Sequence, residues 1–471
     1  MKQLLLHPLV LTLLLGVALV YLVIVFQLIS RNKRWAEIGE SVFIILSMLI
    51  ISGMNIGFSG RLHPNALYEH DITLPYRIMA IGFYALFLIL LFPRLYYTFF
   101  QDLRYVLLLL LKKATFFCVY IFIMLLSSLL SETPEYSLKA SFIFLIVTVC
   151  FIYVGKQYDM KKIFNLLLWY HTVVLFMSLV FGNKTGAWNG IYLHKNNFGA
   201  TMALAGSLMY LQSVRKPKYK WLFLCLAALA FFCVLQSQGG MARVLLVVLI
   251  SLLGFLNFIR RLPPRLAFAG MGIFLAIGIS LGILITENAE YIIVEKLGKD
   301  MTLTGRTYIW YRVVDAINRR PWFGYGYEGF WQFWRGADNP GLLIRLSEAD
   351  GFIPHHSHNG YLDIGLNLGW LGLAAFIVSL LTGIYYGVLH LTRSKEPESF
   401  LPLVSLTWIV MGNLTDGGLD KISMPWILYV LMTVRLTMNT VDNFSGNPQF
   451  PKPLDLESKF PFNRTSTRKG E

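Results

Sequence analysis

MARVLLVVLISLLGFLNFI, residues 241–259, contains a single charged side chain, that of Arg243. An apolar run of about 20 residues has the length that a helix needs to cross the hydrocarbon core of a bilayer. The run lacks the strict alternation of a barrel strand, so a helix is the conformation that satisfies its backbone in lipid. We therefore predict that this stretch spans a membrane, and the fold class depends on how often such runs recur.

Similar runs recur almost throughout the 471 residues, which are 56% hydrophobic and only 14% charged. A soluble domain carries about 25% charged residues, so this chain has too little polar surface for a water-soluble globule of its length. We predict an all-α polytopic membrane protein with about 12–13 transmembrane helices. The predicted spans are 8–30, 38–58, 76–92, 105–130, 137–155, 162–182, 190–213, 220–237, 241–259, 266–286, 362–390, 401–415 and 421–437.

The basic residues indicate which loops face the cytoplasm. They gather in alternate short loops, so we interpret the net charge of +15 as a topology signal and expect no nucleic-acid partner. This pattern places the C-terminus in the cytoplasm, and it places the N-terminus and one long polar loop on the outer side. The chain then divides into N-terminal transmembrane helices (1–286), the large extracytoplasmic loop (287–361), C-terminal transmembrane helices (362–437) and a disordered cytoplasmic tail (438–471).

The large loop contains a predicted amphipathic helix over 302–320. Ile309, Val313 and Ile317 recur there at helical spacing, and we expect the helix to lie on the outer membrane surface. Arg306 falls in its first turn, where a positive charge opposes the helix dipole. Two interpretations of this arginine stay open, namely an anion-binding group and a solvated side chain.

The next segment, PWFGYGYEGFWQFW (321–334), is unusually dense in aromatic residues, and its glycines permit a tight turn. An aromatic belt at the membrane–water interface is the favoured interpretation. A platform on which sugar rings stack is the alternative, because the C–H faces of sugars pack well against aromatic rings.

Three histidines, His355, His356 and His358, stand just before the chain returns to the membrane. No nearby cysteine and no HExxH pattern accompanies them, so we expect no metal. A single working histidine is the more attractive function, because imidazole can take up a proton near neutral pH. The adjacent Asn359 could hold a polar substrate or orient the ring, whereas Asp363 does not clearly share a helix face with His358.

Two further cations lie at the predicted outer ends of spans. Arg243 opens one span, and Lys195 lies near the start of another, within GIYLHKNNFGA (190–200). A snorkelling side chain is the structural alternative for Arg243. Together with Arg306 and His358 they would form a cationic cluster on one side of the membrane. Such a cluster suits an anionic, lipid-bound substrate, because the arginine fork matches phosphate oxygens.

These motifs resemble the O-antigen ligase and polysaccharide polymerase superfamily. That family carries His-Asn, nine residues and then G-x-x-G, which His358-Asn359 and GWLG (369–372) match at the same spacing. It also carries G-R-x-x-x-W followed by P-x-x-G-x-G, matched by GRTYIW (305–310) and PWFGYG (321–326). Leu373 departs from the usual Thr or Val after the last glycine.

The resemblance implies a metal-independent, inverting glycosyltransferase with a GT-C-like membrane fold and no cofactor. His358 would be its general base, and Arg306 and Arg243 would bind the pyrophosphate of the substrate. Further candidates for substrate binding are Lys195, Asn359 and His356.

The resemblance also implies the substrates and the location. The donor would be an oligosaccharide on undecaprenyl pyrophosphate at the outer face of the bacterial plasma membrane, and the acceptor would be a glycan or glycolipid. Membrane lipid and a chain-length regulator or another polysaccharide-assembly protein are the expected partners. Polymerisation of repeat units in exopolysaccharide or O-antigen synthesis is favoured over ligation to lipid A-core.

Two functions of other classes stay open at this point. A transporter or flippase of lipid-linked oligosaccharide would want charged or unwound segments near the middle of the membrane. Most of the predicted spans have no charged residue near their centres, which favours chemistry at the outer rim of the membrane. A structural partner of other assembly enzymes is the third alternative.

Overall fold

The computed structural model describes residues 33–52, 103–182, 186–192, 194–297, 305–344, 354–414 and 418–442. The predicted spans at 8–30 and 76–92, and the tail beyond 442, lie outside these residues. Within them the chain is α-helical with short 3-10 segments and no extended strand. The first helices are α1 (Lys33–Ile51), α2 (Leu103–Lys113), α3 (Thr115–Leu129), α4 (Pro134–Gln157), α5 (Met160–Phe181), α6 (Lys195–Arg215) and α7 (Lys220–Gln236). The later ones are α8 (Gly240–Ile259), α9 (Pro264–Leu297), α10 (Gly305–Arg319), α11 (Gly360–Arg393), α12 (Leu401–Gly412) and α13 (Met424–Asp442).

Six helices of the described part are long and apolar enough to cross a membrane, and a bent pair raises this count to seven if it forms one span. The six are α4, α5, α7, α8, the first half of α9, and α11. This confirms the predicted all-α polytopic membrane protein. The total of 12–13 spans stays a prediction.

The span predicted over 105–130 is corrected by the structure. The chain bends by 104° between α2 and α3, at Ala114, whose backbone is not helical. Lys112 and Lys113 stand in the last turn of α2. The bend therefore follows directly after these two lysines, and a charge inside a span is costly unless it has partners. A hydropathy value averaged over a window of residues does not reveal such a bend.

Burial separates the central helices from those at the periphery. In α4 and α11, 61% of the apolar window is buried inside the protein, against 22% in α7 and α9. Close packing between helices depends on small residues, since lipid competes equally well for apolar side chains. Gly206 of α6 is an example: a Cβ there would lie 2.1 Å from the Phe231 ring of α7. The candidate site is built where the central helix α11 begins.

Helix α11 is interrupted at Gly369, which has φ 69° and ψ −175°. The interruption frees carbonyl groups of the preceding turn. The Leu366 and Asn367 carbonyls accept hydrogen bonds from the backbone N–H groups of Tyr325 (2.8 Å) and Gly326 (3.0 Å). Beyond the break, Trp370 donates its backbone N–H to the Pro321 carbonyl at 2.7 Å. The segments GWLG (369–372) and PWFGYG (321–326) therefore interlock through their backbones.

Gly369→Ala is expected to destabilise the protein strongly. Its φ and ψ belong to a region that is essentially restricted to glycine and costs other residues about 1–3 kcal/mol. A Cβ at Gly369 would also lie 2.5 Å from the carbonyl carbon of Trp322, so the backbone would have to move. Thermal denaturation of the purified protein in detergent should give a clearly lower midpoint.

Gly272→Ala is the matched control, because a Cβ at Gly272 meets nothing within 4 Å. Equal midpoints for both variants would contradict this account.

The predicted amphipathic helix is present as α10, although the environment of its apolar face differs from the expectation. Ile309, Val313 and Ile317 are buried in a cluster that includes Leu366 of α11. Contacts with protein, rather than with membrane lipid, therefore hold this face. The packing fixes the position of α10 relative to the start of α11.

Candidate functional site

His358 lies in a tight loop just before α11, in a left-handed backbone conformation that is uncommon for residues other than glycine. Its φ is +56°, in the left-handed region, which costs a residue with a side chain about 1–2 kcal/mol. Its backbone N–H donates to Nδ1 of His356 at 3.1 Å, and the two rings lie 4.0 Å apart. A neutral His356 that accepts at Nδ1 carries its proton on Nε2. The two predicted histidines are therefore brought together.

Asp363 holds the His358 loop, although the sequence spacing did not suggest it. Its Oδ1 accepts hydrogen bonds from the backbone N–H of Ser357 (3.0 Å) and from Nε1 of Trp331 (3.1 Å). Asp363 is fully buried. Because the chain reverses at His358 instead of continuing as a helix, helical spacing does not decide which residues meet here. Asp363 is a positioning residue beneath the loop.

Asn359 caps α11. Its Oδ1 accepts from the backbone N–H groups of Tyr361 (3.1 Å) and Leu362 (3.4 Å), which the helix itself leaves unsatisfied. The Ser357 hydroxyl donates to the Asn359 carbonyl at 2.7 Å and so closes the loop. The predicted role of Asn359 in holding substrate would therefore have to use Nδ2, because Oδ1 is engaged in capping.

Helix α10 joins the same loop through Trp310, whose Nε1 donates to the Ser357 carbonyl at 3.0 Å. The backbone of Arg306 lies in the first turn of α10, four positions before Trp310. The side chain of Arg306 falls outside the part that the structure describes. The Trp310–Ser357 hydrogen bond therefore connects the helix that carries Arg306 to the loop that carries His358.

Lys195 and Arg243 are both exposed and lie at the starts of neighbouring helices, α6 and α8. These helix starts touch, because a Cβ on Gly199 would lie 2.6 Å from that of Ala242. Arg243 donates to the Leu235 carbonyl at 3.3 Å. No carboxylate among the described residues forms an ion pair with either cation, which leaves both charges open to an anion.

A cavity lies beside these helix starts. Its wall includes Ser52, Asn196, Met241, Gly412 and Met424, which lie at or next to one end of α1, α6, α8, α12 and α13 respectively. The predicted spans place every one of these ends on the outer side, and in the structure they meet around one space. Which side of the membrane these ends face stays a prediction.

The start of α11 reaches the same cavity. The backbone N–H of Gly360 donates to the Asn413 carbonyl at 2.9 Å, and Asn413 belongs to the cavity wall. His358 is two positions before Gly360, and Arg243 immediately follows Ala242, another residue of the wall. The cavity therefore lies between the helix start that carries Arg243 and the loop that carries His358.

A second buried carboxyl group, besides that of Asp363, lies against α11. Asp420, in the loop between α12 and α13, is 2% exposed, and its Oδ2 accepts from Nδ2 of Asn367 at 3.3 Å. The pKa of Asp420 is raised to about 8, chiefly by burial; Lys421 opposes the rise, and Asp363 and Glu328 add to it. This carboxyl group therefore keeps its proton to a higher pH than an exposed aspartate does.

The raised pKa of Asp420 predicts that stability falls as pH rises. The unfolded chain loses this proton near the ordinary value of 3.8, so between about pH 4 and pH 8 the folded protein binds more protons. The thermal midpoint of the wild type should decline across this window, and Asp420→Asn should remove part of the decline. The variant should melt a few degrees higher than the wild type at pH 8.5 and at a similar temperature at pH 5. Asp315→Asn, at an exposed ion pair with Arg319, is the control; a parallel decline in the wild type and the Asp420 variant would contradict the assignment.

The aromatic segment 321–334 divides into two sets. Tyr325, Tyr327 and Phe330 are buried and help to form the core. Trp322 and Trp334 are exposed by 66% and 42%, so their surfaces are available to membrane or to sugar. The choice between an interfacial belt and a sugar platform stays a prediction for these two residues.

The sequence does not reveal the residues that hold the His358 loop and the start of α11 in place. The spacing of Asp363 from His358 does not indicate that the two residues meet, and Asn413, Asp420 and Ser357 belong to no motif of the sequence. An aspartate near the start of an otherwise apolar span was the available signal, because a carboxyl group is costly there unless it has partners.

Comparison with known proteins gives a family match over part of the chain. A family model described as O-antigen ligase matches residues 223–377. This range contains Arg243, Arg306, His356, His358 and Asn359, but not Lys195.

Two curated proteins are also similar. The exopolysaccharide production protein ExoQ of Rhizobium meliloti (strain 1021) is 27% identical over 288 residues, which cover 58% of this chain and 65% of the relative. An uncharacterized protein of Haemophilus influenzae is 22% identical over 249 residues, which cover 50% of this chain and 61% of the relative. The chain thus spans less than two thirds of the length of either relative.

Proposed function

Because the chain belongs to the O-antigen ligase and polysaccharide polymerase superfamily through residues 223–377, we propose that it is a membrane glycosyltransferase. It transfers a glycan from a polyprenyl pyrophosphate, undecaprenyl pyrophosphate in bacteria, to an acceptor hydroxyl. The reaction takes place at the outer face of the plasma membrane. The enzyme needs no metal and inverts the configuration of the anomeric carbon.

The proposed step is a single displacement. The acceptor oxygen forms a bond to the anomeric carbon while the bond from that carbon to the pyrophosphate oxygen breaks. The imidazole of His358 takes the proton of the acceptor hydroxyl, and the pyrophosphate leaves with the electron pair. Arg306 and Arg243 bind the pyrophosphate and stabilise the charge that develops on it. Lys195 adds positive charge at the neighbouring helix start.

The observation that carries this proposal is the way in which His358 is held. Its backbone adopts a costly left-handed conformation, and buried Asp363 fixes the preceding residue, Ser357. Strained, over-determined residues cluster at functional sites. The exposed cations Lys195 and Arg243 directly neighbour Asn196 and Ala242, two residues that line a cavity, and we place the anionic leaving group beside these two helix starts.

Polymerisation of repeat units is the reaction that we favour. The name of ExoQ ties that relative to exopolysaccharide production, which supports an acceptor that is itself a growing glycan. The family description, O-antigen ligase, supports transfer to lipid A-core as the second candidate. In cells, loss of long chains with single units still attached would indicate a polymerase, whereas loss of all attachment would indicate a ligase.

The orientation and the partners follow from the same proposal. The cavity and His358 face the outer side, the C-terminus is cytoplasmic, and membrane lipid surrounds the peripheral helices. A chain-length regulator or another polysaccharide-assembly protein would bind to this enzyme in the cell. Accessibility of single cysteines introduced at exposed His355 and at exposed Lys218 should differ between the two sides of intact spheroplasts.

A direct assay separates this enzyme from a flippase. The full chain is purified, reconstituted without any gradient, and given lipid-linked oligosaccharide extracted from the source strain together with an acceptor. We expect release of undecaprenyl pyrophosphate in proportion to glycan transferred. Movement of the oligosaccharide across vesicles without release of pyrophosphate lipid would support the flippase and reject the transferase.

A further inference from the structure

The short segment 331–335 touches the His358 loop and its support through two of its side chains. Nε1 of Trp331 donates to Oδ1 of Asp363 at 3.1 Å, and the same oxygen accepts the backbone N–H that precedes His358 in the loop. The Phe333 ring lies 4.4 Å from that of His355, at the other end of the loop. A movement of this segment would therefore move the loop.

Other side chains of the segment face the turn 130–133, which joins α3 to α4. Nε2 of Gln332 donates to the Thr133 hydroxyl at 2.8 Å. The Trp334 ring lies 5.3 Å from that of Tyr136, in the first turn of α4. The segment 331–335 thus lies between this turn and the His358 loop, and it contacts both.

Glu132, in the same turn, binds the end of the segment through an ion pair. Its Oε2 accepts from both Nη1 and Nη2 of Arg335, at 3.0 Å each, and its Oε1 accepts from Arg320, just before the aromatic stretch. The Arg335 side chain is only 15% exposed, so this pair is partly shielded from water. A single exposed ion pair contributes little, whereas one carboxylate that joins two guanidinium groups forms a network of charge-assisted hydrogen bonds. Glu132 therefore fixes both ends of 320–335 relative to α3 and α4.

We propose that Glu132 is a positioning residue for the transfer reaction, which holds the His358 loop in its working place through Arg335 and the segment 331–335. The inference rests on the proposed function for the role of His358. Misplacing a reacting group by about 1 Å can lower a rate about 100-fold, so a distant residue that fixes the loop affects the chemistry. Glu132 lies outside the family match at 223–377, and the frame of the site accordingly includes a turn from the N-terminal part of the chain.

Two variants test the proposal at different points of the same contact. Glu132→Gln keeps the size of the side chain and removes the charge that binds both arginines. Thr133→Val replaces the hydroxyl that Gln332 binds by a methyl group of similar size, and this hydroxyl makes no cap hydrogen bond to α4. Glu135→Gln is the matched control, because Glu135 forms an exposed ion pair with Lys139 at 2.9 Å, away from the segment 331–335.

The first measurement is the initial rate of glycan transfer by the full chain in nanodiscs, with lipid-linked oligosaccharide extracted from the source strain and an acceptor. Glu132→Gln should lower kcat about 10- to 100-fold and leave KM for the lipid donor unchanged. Thr133→Val should lower kcat about threefold to tenfold, as expected for one lost hydrogen bond. Glu135→Gln should keep both constants. Thermal midpoints above the assay temperature for every variant would exclude unfolding as the cause.

The second measurement is hydrogen exchange of the backbone over 354–363, which needs no activity. Exchange should be faster in Glu132→Gln and Thr133→Val than in the wild type, because the loop has lost a contact that restrains its opening. Glu135→Gln should exchange as the wild type does.

The outcomes separate the positioning role from the reaction itself. Equal kcat in Glu132→Gln and Glu135→Gln, or a rise in KM for the donor in place of a fall in kcat, would overturn the proposal. If Glu132→Gln does not fold, Thr133→Val decides, and a wild-type kcat in that variant counts against positioning. If the wild type transfers no glycan while the exchange of 354–363 responds to Glu132→Gln as expected, the transferase proposal fails and the hold of Glu132 on the loop stands.

Discussion

Replacing His358 by asparagine should lower the rate of glycan transfer by about 10²–10⁴-fold, the usual contribution of a positioned general base. Asparagine adopts left-handed backbone conformations more readily than most residues do, so the φ of +56° can be kept. The amide cannot accept the proton of the acceptor hydroxyl. Initial rates with purified protein, together with thermal midpoints, would separate lost chemistry from lost fold.

His355→Asn is the control for His358→Asn. His355 is exposed and packs beside Phe333, with ring centroids 4.4 Å apart, but it takes no part in the proposed step. This variant should retain nearly the full rate. The pH profile adds a test, because the acidic limb of kcat/KM should reflect ionisation of the base and should vanish in the residual activity of His358→Asn. A variant that kept the full rate at a normal protein level would reject the assignment.

Arg306→Lys should reduce transfer by about 10²–10³-fold, comparable to removing one preorganised group that stabilises the transition state. Lysine keeps the charge but loses the planar fork that binds two phosphate oxygens at once. The loss should appear in kcat as well as in KM for the lipid donor, because charge on the pyrophosphate grows as the bond breaks. Arg243→Lys should show the same pattern.

The matched control for the two arginines is Arg319→Lys, in the last turn of the same helix as Arg306. Arg319 forms an exposed ion pair with Asp315 at 3.0 Å, and such pairs contribute little to stability. Its substitution should leave both constants unchanged. If Arg306→Lys and Arg243→Lys remained as active as Arg319→Lys, binding of the pyrophosphate by these arginines would be wrong.

The sequence predicts the membrane class and most of the described spans because hydropathy and length are local properties. It also predicts α10, because Ile309, Val313 and Ile317 follow the helical period. It does not predict the bend at Ala114, since Lys112 and Lys113 are diluted in a window of apolar residues. A mean hydropathy over a short window does not record such a break in the helix.

The candidate site is predictable only in part, for a related reason. Motif spacing selects His358 and Arg306, but it does not indicate what fixes them. Asp363 reaches Ser357 because His358 takes a left-handed backbone conformation, and helical spacing gives no sign of this. The cavity lined by Asn196, Met241 and Gly412 is assembled from the ends of several helices far apart in the chain, so these residues form no motif together.

The interruption at Gly369 has a consequence for building hybrids between relatives. It divides α11 into a short cap, 360–368, whose carbonyl groups bind the turn 321–326, and a membrane-embedded stem that begins at Trp370. The cap and that turn have to be exchanged together between relatives, whereas the stem can stay as it is. A chimaera that exchanges only one of the two segments should lose the interlocking hydrogen bonds and misfold locally, while one that exchanges both should keep them.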